Sequence, residues 1–455
     1  MTAFVRTLRA LSLVWLLFWS YAVQLGAEKA FGARPWLMRR REELHERNAT
    51  RLLRGILELR GVYVKFGQVL SIMAGLLPAA YRARLTTLQD RVPPRPFTEM
   101  QEAFVASLGK LPGHSFRDID DEPVAAASLG QVHVAHLPDG TKVAVKILYP
   151  GIRDLVRVDL WVLGFALRLF GRFFPIGNLD VVHASLVDLL RRETDYLHEA
   201  ACMKRMAENF RDAPDIVFPS VVDDLTSREV LTMTYMEGIK ITDLDALRAQ
   251  DIEPEAVGRR LLESFFEQLF VHRFFHADPH PGNFFVQRGP AGEPRIVVLD
   301  FGAVSEAREG LVEGMIEALT GFFAKDGARL MRAFEQMGFV AREGDRALVE
   351  RTVLLYFERL LHIQNPTPAA LMSAKPAQLR RLLDPELELR ELRSLARSFQ
   401  HPPGWFYIER ALVMMFGLCG TIAPDLDMLR VGFPYVMPLL EAKSRAARED
   451  ATKSA

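Results

Sequence analysis

Three residues between positions 276 and 302 have the types and spacing that phosphoryl-transfer chemistry requires. In His276-Ala277-Asp278-Pro279-His280-Pro281-Gly282-Asn283 an Asp is followed by an Asn five residues on, and Asp300-Phe301-Gly302 then supplies a second Asp. Transfer from ATP needs one carboxylate beside the accepting nucleophile. It also needs an amide oxygen and a second carboxylate to hold Mg²⁺ against the phosphates. Asp-Phe-Gly alone arises by chance. Here both pieces occur in order, each after an apolar segment, so Asp278 is the candidate catalytic carboxylate and Asn283 and Asp300 are the candidate metal ligands.

Those residues need elements to hold them. Residues 258–275 pair apolar positions (Leu261, Leu262, Phe265, Phe266, Leu269, Phe270) in the pattern of a buried helix, which is expected to deliver His276 and Asp278. Ile296 to Leu299 reads as a short apolar strand delivering Asp300. Upstream, Val132 to Ala135 and Lys142 to Leu148 flank Pro138-Asp139-Gly140 and predict a β-hairpin turning at Asp-Gly. Its second strand ends in Val143-Ala144-Val145-Lys146, a lysine placed to reach α- and β-phosphates. Such a lysine needs a carboxylate partner. A helix near 184–209 offers Glu193, Asp195 and Glu199, the last two one turn apart on a shared face. Glu229 to Tyr235 reads as another strand, and Glu237 falls where a hinge could meet adenine.

Two features depart from an ordinary protein kinase. Ahead of the hairpin, Ala125-Ala126-Ala127-Ser128-Leu129-Gly130 retains only the last glycine of a Gly-x-Gly-x-x-Gly phosphate loop. Alanine carries a β-carbon and resists positive φ, so this loop is expected to be stiffer over the phosphates. After Asp300-Phe301-Gly302 the chain enters a helical stretch, Ala307 to Phe323, with no activation-loop-sized segment and no Ala-Pro-Glu. That region docks peptide substrates in protein kinases. The pattern therefore points to a small molecule, water or a membrane-presented group as acceptor.

The wider composition sets bounds. The chain has 455 residues, 49% hydrophobic and 25% charged, enough for two or three structural units. Its net charge is zero, which gives no electrostatic case for a nucleic-acid partner. Cys202 and Cys419 belong to no ligand or redox motif and suit a reducing interior. Residues 1–60 carry eleven Lys or Arg against five Asp or Glu and enclose an uncharged run of 18 residues, Ala10 to Ala27. As a helix that run spans about 27 Å, close to the thinnest bilayer crossing. Ser12, Ser20 and Gln24 weaken a spanning reading, whereas Trp15, Trp19 and Tyr21 suit an interfacial anchor. A docked helix is the alternative; a cleaved signal peptide fits poorly with an ATP site. Residues 43–75 look helical, and Pro78, Pro93, Pro94 and Pro96 then break the chain and mark a linker. Ala411 to Ile422 is apolar and reads as core rather than a second span.

Taken together, these motifs resemble the UbiB (AarF, ADCK) family of atypical kinases over about residues 50–340. Lys65-Phe66-Gly67-Gln68 matches its Lys-x-Gly-Gln signature, and Leu88 to Pro94 is similar to the segment that follows. The alanine loop with Lys146, Glu193-Thr194-Asp195 as a Glu-x-Asp motif, and the HxDPHPGN and DFG motifs complete the match. The resemblance implies an α+β, bilobal protein kinase-like fold. Its expected parts are a membrane-associating segment at 1–40, a helical Lys-x-Gly-Gln extension at 41–115, an N-lobe at 116–237 and a helix-rich C-terminal lobe at 238–445. It also implies roles: Lys146 on the phosphates, Glu199 orienting it, Asp278 catalytic, Asn283 and Asp300 on Mg²⁺. Ala125, Ala126, Ala127, Ser128, Gly130 and Glu237 would contact ATP. Lys65 and Gln68 would lie near Glu193 and Asp195 and guard the site against protein substrates. The implied function is Mg-ATP-dependent ATPase or kinase activity supporting ubiquinone or related isoprenoid-lipid metabolism. Its setting would be the cytoplasmic side of a bacterial membrane, held peripherally or by a single N-terminal anchor. Its partners would be a membrane lipid or quinone precursor and lipid-biosynthetic enzymes.

Each motif has a plainer reading. Lys65 and Gln68 suit the polar side of an amphipathic helix, and Glu193 and Asp195 a solvated face. His276 and His280 flank Asp278, but His-x-Asp in such loops is usually structural rather than a metal site. Two other functional classes stay open: a nucleotide-binding pseudokinase scaffold for lipid-modifying enzymes, and a small-molecule phosphotransferase resembling those that modify aminoglycosides.

Overall fold

The computed structural model describes residues 3–72, 78–85, 88, 94–173, 179–341, 344–361 and 398–441, apart from isolated positions inside those stretches. The chain forms two compact units. One comprises Met1–Ala201 with Ser220–Tyr235, the other Cys202–Pro219 with Met236–Ala455. The expected Pro93 lies outside the described residues.

In the first unit, β-branched residues alternating along two short runs build a hairpin. Strands β1 (Asp118–Ile119), β2 (Ala125–Ala126), β3 (Gly130–His136) and β4 (Lys142–Leu148) are joined there by a further strand from 230–234. β3 and β4 pair antiparallel from Gly130↔Leu148 to His136↔Lys142, turning at Asp139-Gly140 as the sequence predicts. Counting β5 (Ile216–Val217), which belongs to the second unit, the 230–234 strand is β6 (Val230–Thr234) and lies on the far side of β4. The described helices of this unit are α1 (Ala3–Phe31), α2 (Pro35–Leu59), α3 (Val62–Ile72), α4 (Ala79–Leu85), α5 (Phe97–Leu108), α6 (Pro112–Ser115), α7 (Ile152–Phe173), α8 (Leu179–Glu193) and α9 (Tyr196–Asn209), which continues past Ala201; α5 packs on the sheet.

Two stretches expected to be helical each divide into two helices. The 43–75 stretch divides at Arg60 and Gly61, whose φ values are 56° and 55°. A glycine takes that left-handed backbone without strain and re-aims the chain into α3. The apolar periodicity reads straight through the break because Ile56, Leu59, Val62, Val64 and Phe66 are buried on both sides of it. The 184–209 stretch divides at Thr194 and Asp195. Thr194 Oγ1 donates to Leu190 O at 2.7 Å and Asp195 Oδ1 accepts from His198 N at 3.4 Å. Both are side-chain-to-backbone bonds that favour helix ends over interiors. Asp195 therefore opens α9 instead of sharing a helical face with Glu199.

Helix α1 is docked. Arg6, on its inner side, meets Asp159 of α7 through Nε at 3.0 Å and Nη2 at 2.6 Å, and both residues are buried. Its other side leaves Phe4, Leu8, Trp15, Trp19 and Val23 exposed.

In the second unit, β5, β7 (Ile239–Lys240), β9 (Phe284–Arg288) and β10 (Pro294–Val298) form a sheet in the order β5-β10-β9-β7. A separate ribbon pairs β8 (Phe274–His276) with β11 (Val304–Glu306). The helices are α10 (Leu244–Ala249), α11 (Pro254–Phe266), α12 (Glu309–Ala324), α13 (Gly327–Met337), α14 (Arg346–Leu361) and α15 (Trp405–Ile422). The helix expected to run to residue 275 ends earlier. After Phe266 comes a π-helical turn, Glu267–Val271, and Arg273 takes φ 52° before the chain becomes β8. A strand, not a helix, thus delivers His276. The apolar pairs persist through the change because the π turn also points Leu269 and Phe270 inward. α15 packs against α11 with Ile408, Ala411, Met415 and Cys419 buried, as the core reading of 411–422 expects. α1 and α15 are the two described helices long and apolar enough to cross a membrane.

Candidate active site

The first unit gathers a set of charged side chains. β-alternation turns Val145 and Ile147 into the core and puts Lys146 on the opposite face of β4. Lys146 Nζ forms an ion pair with Glu199 Oε1 of α9, the carboxylate side chain being 2% exposed. Its Nζ also lies 5.5 Å from the centre of the Tyr196 ring. A pair this desolvated is held by geometry rather than by salt-screened attraction.

The alanine stretch is no open loop. Ala125 and Ala126 form β2 and pair with Val132 and Gln131, and Ala127 N donates to Gly130 O at 2.8 Å. Ser128 and Leu129 are buried in the turn. Gly130 is needed by its neighbour strand, because a β-carbon there would stand 2.5 Å from Ile147 O.

Lys65 of α3 reaches Glu193 Oε1 at 3.1 Å, with the two side chains 12% and 13% exposed. The backbone of Gln68 lies in α3, and its side chain lies outside what the structure describes. Asp195 turns elsewhere: besides capping α9 it lies 3.8 Å from Arg228 Nε. Lys65 therefore meets Glu193, while Asp195 engages a different cation.

In the second unit the catalytic-loop candidates hang from the β8–β11 ribbon. His276 faces Val304 in register, and Ala277 N donates to Ala303 O at 2.7 Å. His276 is buried. Gln268 in the π turn accepts its backbone N–H through Oε1 at 2.9 Å, and His276 Nδ1 accepts from Asp278 N at 3.2 Å. Burial holds the imidazole well below its ordinary pKa, against the opposing pull of Asp300 and Asp278. A neutral acceptor nitrogen that fixes the loop is a structural role. His280 Nδ1 similarly accepts from Gly282 N at 3.1 Å.

Asn283 Nδ2 donates to Asp278 O at 3.1 Å, which fixes the amide and presents Oδ1 as the end able to face a cation. Asp300 follows β10, with Oδ1 accepting from Gly302 N at 3.0 Å, while Phe301 is fully buried against Phe218. Among the described residues no group of three or more His, Cys, Asp or Glu could hold a metal ion. A cation at Asn283 and Asp300 would thus draw further oxygens from water and phosphates, which is the habit of Mg²⁺. Glu237, in the second unit, is exposed, and its carbonyl accepts from Gln287 Nε2 at 2.6 Å.

One residue was not foreseen. Arg410 of α15 contacts Asp278 Oδ2 through Nη2 at 2.8 Å, with side chains 4% and 14% exposed. Its Nε and Nη1 have no partner and are buried. The signal in the sequence is slight: Arg410 sits at helical spacing from Phe406 and Met414, beside Glu409, in a largely apolar segment.

A family description, the ABC1 atypical kinase-like domain, matches residues 87–334. The Arabidopsis thaliana chloroplast protein Activity of BC1 complex kinase 8 is 31% identical over 449 residues, covering 93% of this chain and 59% of its own. The chain thus spans less than two thirds of that relative. The probable protein kinase UbiB of Marinobacter nauticus is 32% identical over 410 residues, covering 88% of this chain and 71% of its own. Among solved structures, the Mycobacterium tuberculosis protein Rv3197 in complex with erythromycin matches with a TM-score of 0.53 and 26% identity. That match covers 84% of this chain and 93% of the other. The fold is the α+β, kinase-like fold expected from the motifs.

Proposed function

The chain belongs to the ABC1 atypical kinase family of UbiB-type proteins, and we propose that it is an Mg-ATP-dependent ATPase or small-molecule kinase serving lipid metabolism at a membrane. The observation carrying this reading is that every polar group the chemistry needs is held by a specific partner. Lys146 is oriented by Glu199, the Asn283 amide by the Asp278 carbonyl, and Asp300 by Gly302 N. In the proposed chemistry Lys146 binds the α- and β-phosphates, and Asn283 and Asp300 hold Mg²⁺. The metal, when bound, neutralises the phosphate charge that builds up on transfer. Asp278 orients the attacking hydroxyl or water and takes its proton, with Arg410 fixing the carboxylate. Ala125 to Gly130 would cover the phosphates and Glu237 would meet the adenine; Lys65, paired with Glu193, would guard against bulky acceptors.

The membrane setting is supported by the exposed aromatic face of α1, where Trp15 and Trp19 suit a headgroup boundary. The lipid is proposed as ubiquinone, a precursor or a related isoprenoid, on the strength of the UbiB relatives. Lipid-biosynthetic enzymes are the proposed protein partners.

Turnover of ATP by the purified full chain, with and without anionic liposomes, tests the reading. Release of phosphate that needs Mg²⁺ and falls at least about a hundredfold in Asp300→Asn is expected, since loss of a metal ligand removes several kcal/mol of transition-state stabilisation. Absence of turnover in the wild type would leave the pseudokinase scaffold, which the strand-paired alanine turn also suits. Turnover unchanged in Asp300→Asn removes that residue from the metal site.

A further inference from the structure

Within the first unit, α1, α2, α3 and α7 surround a cavity of about 580 Å³. That is the size of a small-molecule site. Most of its wall is aliphatic or aromatic, with Leu13, Leu17, Ile56, Phe66, Leu163 and Phe170 contributing. Such a wall holds ordered water poorly and gains dispersion contacts when an apolar group covers it.

The cavity has a polar end with a definite chemistry. Tyr21 OH lies 2.7 Å from His45 Nδ1 and 2.7 Å from Tyr81 OH, a chain of neutral donors and acceptors. Gln24, 3% exposed and also lining the cavity, donates through Nε2 to Leu37 O at 3.0 Å and to Glu28 Oε1 at 2.9 Å. Those two acceptors fix the amide, and its buried Oε1 has no hydrogen-bond partner. The lining charges are Glu28 and Arg41, and they face each other at 3.9 Å. Glu28 would repel a carboxylate or phosphate head as the half-exposed Arg41 attracts it, so the two charges together give an anion little net pull. A hydroxyl meets what remains, an acceptor lacking a donor beside a mixed donor–acceptor chain.

We infer that this cavity binds a single-chain lipid with an uncharged, hydroxyl-bearing head, its tail along the aliphatic wall and its head at Tyr21, Gln24 and His45. α1 supplies part of the wall with one face and exposes Trp15 and Trp19 on the other, so one helix serves both a bilayer surface and the pocket. The site uses none of the residues assigned to phosphoryl transfer.

The probe is hexadecanol carrying a mid-chain diazirine, cross-linked to the full chain without nucleotide and mapped by mass spectrometry. Its outcome is therefore separate from ATP turnover. Adducts are expected on the inner faces of α1, α2, α3 and α7. Unlabelled hexadecanol should compete at least about tenfold better than hexadecanoic acid, a difference worth about 1.4 kcal/mol. Leu163→Trp narrows the cavity and should weaken labelling severalfold with the melting temperature retained. Tyr21→Phe, which removes only the hydroxyl, should reduce the preference for alcohol over acid to near unity. Adducts confined to the outer face of α1, labelling undiminished in Leu163→Trp, or equal competition by the acid would overturn the assignment.

Discussion

Breaking the Arg410–Asp278 pair tests how the loop carrying Asp278 is held. The two side chains are 4% and 14% exposed, so neither charge is solvated once its partner is gone. Removing one member of a buried pair costs about 3–5 kcal/mol. Arg410→Met leaves the more exposed group, the carboxylate, and should cost roughly 3 kcal/mol, the lower end of that range. Asp278→Leu leaves a guanidinium whose Nε and Nη1 already lack partners, and should cost roughly 4 kcal/mol. The double variant buries no charge and should lose no more than the worse single, giving a coupling of at least about 3 kcal/mol. Hydrogen exchange of α15 amides reads this directly: about 3 kcal/mol is roughly 150-fold faster exchange in Arg410→Met. If the two single losses simply add in the double variant, the residues act independently and the argument fails.

Other perturbations follow from single contacts. Gly130→Ala pushes a β-carbon to 2.5 Å from Ile147 O, and should lower stability by about 1–3 kcal/mol in a urea titration. A neutral effect there would mean that the β2–β3 turn shifts freely. His276 is held below its ordinary value of 6.5 by burial, so the unfolded chain binds the proton more readily. Its contribution to stability is therefore intact above pH 6.5 and is lost as pH falls below it, by up to about 1.4 kcal/mol per pH unit. His276→Gln should flatten the stability profile below pH 6.5, and an unchanged slope would contradict it. Replacing Trp15 and Trp19 with Ser should weaken liposome flotation severalfold while Arg6 keeps α1 docked; equal flotation would place the membrane contact elsewhere.

Much of this molecule was legible where the determining contacts are local. Asp139-Gly140 between alternating Val residues specifies the β3–β4 hairpin, and the Val-Ala-Val-Lys run sets which face Lys146 takes. The breaks at Gly61 and Thr194 were harder to read, because a helix end changes backbone direction without changing which residues are apolar. The π turn hid for the same reason: Leu269 and Phe270 are buried in either geometry. Arg410 illustrates the remaining gap. Its helix reads as core from its own residues, but nothing local names Asp278 as the partner that makes a charge tolerable there. The same holds for Lys65 and Glu193, whose separate helices each read as amphipathic while their meeting depends on packing.

The Arg410 contact also has a consequence for biogenesis. Chains fold progressively as they leave the ribosome, earlier segments first. Asp278 and the β8–β11 ribbon emerge long before α15, so the nascent loop carries its carboxylate without the guanidinium that balances it. Until Arg410 arrives, water or a chaperone must shield that charge, and the loop is free to sample other arrangements. The final arrangement of Asp278 thus waits on α15, a helix that emerges well after the ribbon carrying the carboxylate.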